Sequence, residues 1–140
     1  MRKTTRKGWV RKLDHLVSQL VIARDGKCIV CGTTQNLTCG HLFSRVAYST
    51  RWDLDNCYAQ CLSCNLKHEY DPYPMMTAVE LLKDEVTWPE MKAKKHFIEN
   101  LHRKYVTPHK YKTYELEELF NELSDTFETH DLNVASEDTR

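Results

Sequence analysis

The sequence predicts an α+β fold, in which a small cross-linked core of two short strands and a helix is flanked by longer α-helices. Three observations predict it. Cys28-Ile29-Val30-Cys31 and Cys61-Leu62-Ser63-Cys64 are two Cys-x-x-Cys pairs separated by a 29-residue insert. Within the insert, short runs bounded by turn residues read as strands. Outside it, apolar residues recur at helical spacing.

Taken in order, residues 1–26 form a basic arm and an N-terminal helix. Arg2, Lys3, Arg6, Lys7, Arg11 and Lys12 surround Trp9. Leu13, Leu16, Val17, Leu20 and Val21 then predict an amphipathic helix over about 10–24. Asp25-Gly26 stops it and turns the chain into the first cysteine knuckle. Residues 27–71 are the core. Thr33 to Asn36 reads as a turn, Leu37 to Phe43 as a strand, Ser44 to Thr50 as a loop, and Cys57 to Leu62 as a second strand. A helix follows from about Ser63 to Tyr70, and Asp71-Pro72-Tyr73-Pro74 breaks the chain.

Residues 72–128 read as a helical extension. Met76, Val79, Leu82 and Val86 predict a helix over Met75 to Val86. Thr87-Trp88-Pro89-Glu90 is a capping box with proline in the first turn, so a further helix is expected over about 88–105. Leu116, Leu119, Phe120, Leu123 and Phe127 predict a last helix in an acidic background. Residues 129–140 carry no pattern and are expected to form a disordered acidic tail.

At 140 residues the chain has room for one modest core with extensions. An apolar fraction of 41% and a mean hydropathy of −0.62 place part of it outside that core. No apolar run approaches the length of a membrane-spanning helix. Six cysteines without an export signal point to a reducing compartment, the cytoplasm, where metal ligation is favoured over disulfides. The net charge of zero hides an asymmetry: residues 113–140 carry nine acidic groups and one basic group, leaving residues 1–112 at +8. A basic body with an acidic tail suits a protein that meets a polyanion.

The cysteine pairs carry the strongest chemistry. Cys28, Cys31, Cys61 and Cys64 have the number and spacing of a tetrahedral four-thiolate zinc site, against the alternative of redox dithiols. Cys39 and Cys57 read as small buried thiols, although Cys57 with Cys61 also has workable ligand spacing. Two strands and a helix tied at the base by zinc make a ββα-metal module. His41 lies on its first strand, where a near-neutral imidazole could take a proton from water. Asn65 opens the helix with an amide oxygen suited to a hard cation.

Residues Cys28 to Glu69 resemble the HNH (His-Me finger) endonucleases. The string Gly40-His41-x-x-Ser44-Arg45, Arg51-Trp52-Asp53-x-Asp55-Asn56-Cys57, Gln60-Cys61-x-x-Cys64-Asn65 is similar more narrowly to the NinG (Rap) recombination proteins of lambdoid phages. The resemblance implies a general base at His41, a loop-fixing asparagine at Asn56 and a ligand for catalytic magnesium or manganese at Asn65. The family's usual acid before the histidine is replaced by Gly40, so Glu69 and His68 are candidates for the missing ligand. The resemblance also implies branched DNA as substrate and, for a phage-encoded chain, the bacterial host cytoplasm.

The resulting expectation is a metal-dependent DNA endonuclease in which Arg45 and Arg51 hold phosphates beside the scissile bond. Arg6, Lys7 and Arg11 would add phosphate contacts from the arm. A homodimer is one assembly the sequence allows. Two other readings stand beside it: a non-catalytic zinc-stabilised DNA-binding protein, and a protein-interaction adaptor using the acidic C-terminal helix.

Overall fold

The computed structural model describes residues 2–84 and 97–138. Helix α1 (Arg6–Asp25) starts four residues before its apolar stripe suggests. The Thr5 side chain caps it by accepting from the Gly8 N–H at 3.1 Å, which draws Arg6 and Lys7 into the first turn. Gly26 ends it at φ 68°, a left-handed conformation that favours glycine, and its N–H closes on the Ile22 carbonyl at 2.9 Å.

Strands β1 (Leu37–His41) and β2 (Cys57–Cys61) pair antiparallel, with Leu37 opposite Cys61 and His41 opposite Cys57. Both are shorter at the C-terminal end than the sequence suggests. The stretch 44–50, read from sequence as a loop, runs into a one-turn helix, α2 (Tyr48–Arg51). Helix α3 (Leu62–His68) follows β2 directly. Helix α4 (Tyr73–Asp84) begins inside the Asp71–Pro74 stretch, because a proline in the first turn forgoes an N–H that has no helical partner there.

Helix α5 spans Phe97–Val106. The capping box at 87–90, the start of the helix expected from 88, and the expected helix end at Val86 lie outside the described residues. Helix α6 (Thr113–Asp138) continues through most of the stretch expected to be disordered. No glycine or proline occurs after Pro108, so no residue in that stretch interrupts the helix.

The two faces of the β-ladder serve two cores. Cys57 and Ala59 face α1, where Leu13, Leu16, Val17, Leu20 and Val21 gather with Trp52 and with Leu116 and Leu123 of α6. Leu42 and Tyr58 join Met75 and Val79 of α4 and Leu101 of α5 on the other side. Arg24 and Asp25 tie the end of α1 to β2: Arg24 donates to the Cys57 carbonyl at 2.6 Å, and Asp25 accepts from the Ala59 N–H at 2.8 Å. The ladder is therefore clamped between layers, and residues at its two ends are held to fixed positions. Among the described residues, no helix is long and apolar enough to cross a membrane.

Candidate functional site

The four cysteines of the two pairs converge at one end of the ladder. Their sulfurs all lie within 4.8 Å of one another, and Cys31 Sγ is 3.8 Å from Cys61 Sγ. A tetrahedral ion with bonds of about 2.3 Å to sulfur requires an S···S edge of about 3.8 Å. The two knuckles have matching local geometry: Cys31 N–H points at Cys28 Sγ (3.5 Å) and Cys64 N–H at Cys61 Sγ (3.4 Å). Burial pushes the Cys28 thiol up, but hydrogen bonds from the backbone of Cys31, Cys61 and Val30 outweigh it and bring the group down to about 7. Cys64 is pushed up to about 12 by burial and by hydrogen bonds with the sulfurs of Cys61, Cys28 and Cys31. One readily formed thiolate among three neighbouring sulfurs is a donor set that could bind a structural metal such as zinc. All six cysteines are free. Cys57 is not a member of this set; it sits with Cys39 and His41.

His41, at the C-terminal end of β1, is half-buried. Its Nε2 lies 2.9 Å from the Arg51 carbonyl oxygen. A carbonyl can only accept, so Nε2 carries the proton and Nδ1 keeps the lone pair. Burial holds the ring below the ordinary histidine value, aided by the charges of Arg45 and Arg51, against the opposing pull of the Arg51 carbonyl and Asp14. The ring is thus neutral with one nitrogen fixed.

Asn56 is fully buried. Its Oδ1 accepts from Phe43 N–H at 2.8 Å, while Nδ2 donates to the carbonyls of Phe43 (2.9 Å) and Thr50 (3.1 Å). One amide thereby closes both ends of the segment that carries Ser44 and Arg45. Asn65 is oriented by a relay. Thr38 Oγ1 donates to the Gln60 carbonyl at 2.8 Å and accepts from Asn65 Nδ2 at 3.0 Å, which leaves the Asn65 Oδ1 without a hydrogen bond among the described residues.

A cavity of about 700 Å³ is lined by His41, Arg45, Asn65, His68 and Glu69 among others. The structure thus brings together the base candidate and all three candidate ligands of a catalytic metal. His68 donates from Nε2 to the Leu42 carbonyl at 3.0 Å, and its buried Nδ1 has no hydrogen-bond partner among the described residues. An amide oxygen and an imidazole nitrogen are donor types that a divalent ion could take. Glu69, an exposed carboxylate at the end of α3, lines the same cavity.

Position 40 is closed. A Cβ at Gly40 would lie 2.0 Å from Gln60 Oε1 and 2.7 Å from its Cδ. The Gln60 side chain covers the glycine, fully buried, with neither amide atom hydrogen-bonded among the described residues. Gln60 is a site neighbour the sequence reading missed.

The arginines divide. Arg51, read from the sequence as a phosphate contact, is engaged inside the protein: Nε and Nη2 donate to the two carboxylate oxygens of Asp14 at 2.9 and 2.6 Å. Trp52 Nε1 donates to the same carboxylate at 2.9 Å. Burial would raise Asp14, but the hydrogen bonds from Arg51 and Trp52 and the charges of Arg51 and Arg45 hold it below the usual carboxylate value. Asp14 was not legible as a site residue, since its partner lies far along the chain. The Arg45 side chain is exposed and makes no hydrogen bond or ion pair among the described residues, while its carbonyl accepts from Arg51 Nη1 at 3.3 Å. Lys7 and Arg11 are exposed on α1, whereas Arg6 donates to the Tyr111 carbonyl. Comparison of the chain with family models, with curated proteins and with solved structures returned no match.

Proposed function

We propose that this chain is an HNH-type endonuclease that hydrolyses phosphodiester bonds in DNA, using a divalent metal and a structural zinc at Cys28, Cys31, Cys61 and Cys64. The observation that carries the reading is the state of His41: a neutral ring, fixed through Nε2, on the wall of a cavity that also presents Asn65, His68 and Arg45. A bound magnesium or manganese would stabilise the charge developing on the phosphate and the leaving oxygen. His41 Nδ1 accepts the proton of the attacking water, and its lowered pKa keeps that lone pair available at neutral pH. Asn65 Oδ1 and His68 Nδ1 would hold the metal. Arg45 binds a flanking phosphate, and Asn56 fixes the segment that presents it. Arg51 acts as a positioning residue, since its own carbonyl orients His41 and Asp14 restrains its side chain. The similarity of the 40–65 string to the recombination proteins supports branched DNA as the preferred substrate.

The test is incubation of the zinc-loaded protein with plasmid and with a synthetic four-way junction, with and without magnesium or manganese. Metal-dependent cleavage, faster on the junction, is the expected result. Binding without cleavage under every divalent metal would overturn the enzyme reading in favour of a zinc-stabilised DNA-binding protein. The Gln60 side chain over Gly40 is the observation that favours this second reading, because it fills the place of the usual acid. The adaptor reading loses support, since Leu116 and Leu123 of the acidic helix are buried in the α1 core.

A further inference from the structure

We propose that Cys39, His41 and Cys57 form a second metal site, selective for a thiophilic ion such as zinc, whose occupation silences His41 as a base. The binding half stands on the residues alone. The silencing half rests on the nuclease reading above.

The two sulfurs and a ring nitrogen of His41 lie within 4.8 Å of one another. The register explains why. His41 is directly opposite Cys57, and Cys39 is two residues before His41, so all three project from the same face of the ladder. Tetrahedral zinc needs an S···S edge of about 3.8 Å and S···N edges of about 3.6 Å, so no pair of ligand atoms needs to close by more than about 1.2 Å. The Cys39 and Cys57 thiols lie within 4.8 Å of each other at the apolar core to which both belong. The Arg51 carbonyl receives both His41 Nε2 (2.9 Å) and Cys57 Sγ (3.6 Å), which holds the ring and that thiol side by side.

The donor chemistry sets the ion. Two sulfurs and an imidazole favour zinc over magnesium or manganese, which take oxygen. Binding releases the two thiol protons to solvent, and the resulting set of Zn²⁺, two thiolates and a neutral imidazole carries no net charge. Such a site adds no uncompensated charge to a buried environment that already holds Arg51. Cys39 and His41 line the 700 Å³ cavity and a second one of about 290 Å³, so a fourth position for water opens toward them. A neutral imidazole has one basic lone pair, and an ion that takes it leaves none for a water proton.

The test uses the full chain under reducing conditions, with the four-cysteine site first filled by one equivalent of zinc. Cobalt(II) is then titrated in. The expected result is one further equivalent, with a thiolate-to-cobalt charge-transfer band and the intense d–d bands of a four-coordinate ion. Cys39→Ser and Cys57→Ala should each lose that equivalent while keeping the first zinc and the wild-type circular dichroism spectrum. Absence of a thiolate–cobalt band in the wild type, or undiminished cobalt binding in Cys39→Ser, overturns the site. In cleavage assays with magnesium, the inhibitory zinc concentration should rise by about tenfold or more in Cys39→Ser, since even indirect ligand supports change affinity that much. Equal inhibition of both proteins overturns the silencing. A wild type that binds the second ion but cuts no DNA leaves the metal site standing and removes the nuclease reading.

Discussion

Asn56→Ala should be among the most damaging single changes in the core, and the structure gives its size. The substitution removes three hydrogen bonds, to Phe43 N–H, the Phe43 carbonyl and the Thr50 carbonyl. A net loss of about 1 kcal/mol for each gives about 3 kcal/mol, and backbone atoms left buried without partners raise it further. A domain of this size has a total stability on the order of 5–15 kcal/mol, so the loss is a large share. Asn56→Asp isolates the donor half. It keeps an acceptor for Phe43 N–H but turns carboxylate oxygens toward two carbonyls, so it should be no more stable than the alanine variant. Urea unfolding of the zinc-loaded chain, followed by circular dichroism and extrapolated to water, reads both. An alanine variant within about 0.5 kcal/mol of wild type would refute the reasoning, because that is the range of an ordinary surface change.

Stripping the metal with a chelator should unfold the β-ladder and α3, and zinc should restore them; an unchanged unfolding midpoint without metal would remove zinc from the folding argument. His41→Ala should stay folded, keep the four-cysteine zinc, bind DNA, and lose cleavage by about a hundredfold to ten-thousandfold; cleavage at the wild-type rate would exclude His41 as the base. Asp14 has a folded pKa below its ordinary value of 3.8, so its contribution is complete above that value and is lost as pH falls through the folded pKa. Asp14→Asn should therefore lower stability at neutral pH and flatten the acid side of the stability profile, and a profile of unchanged shape counts against the pairing with Arg51. Replacing the exposed Glu117, Glu118 and Glu122 by glutamine should tighten non-specific DNA binding at low salt, with the gain fading as salt rises. Equal affinity at low salt would show that the acidic helix does not repel DNA.

Features written in neighbouring residues were legible in the sequence. The cysteine pairs, the stop at Gly26, the two strands and α3 each follow from a local pattern, and each occurs near its expected position. The grouping of His41 with Asn65 and His68 was also accessible, because the pinned insert limits where they can go. The misses share another origin. Asp14 meets Arg51 across a gap of 37 residues, and no periodicity announces such a partner. Gln60 covers Gly40, and Cys39 approaches Cys57, through strand register, which a one-residue slip would change entirely. Helix α6 extends to Asp138 although its distal residues lack an apolar stripe, so the absence of a packing pattern was a poor guide to where the helix ends.

The glycine at position 40 and the glutamine that covers it have a consequence for how this chain could change. With Gln60 in place, any side chain at position 40 collides with the amide at its first carbon. An aspartate introduced there alone must displace a buried side chain before it can reach a metal, and the protein bears the strain without gaining a ligand. With Gln60 first reduced to alanine, the same aspartate enters vacated space. The two substitutions are therefore ordered: one sequence of steps passes through a folded intermediate with a small void, the other through an overpacked one. Residue 40 is held as glycine by its neighbour across the ladder, and a carboxylate could be installed at that position only through a change at residue 60.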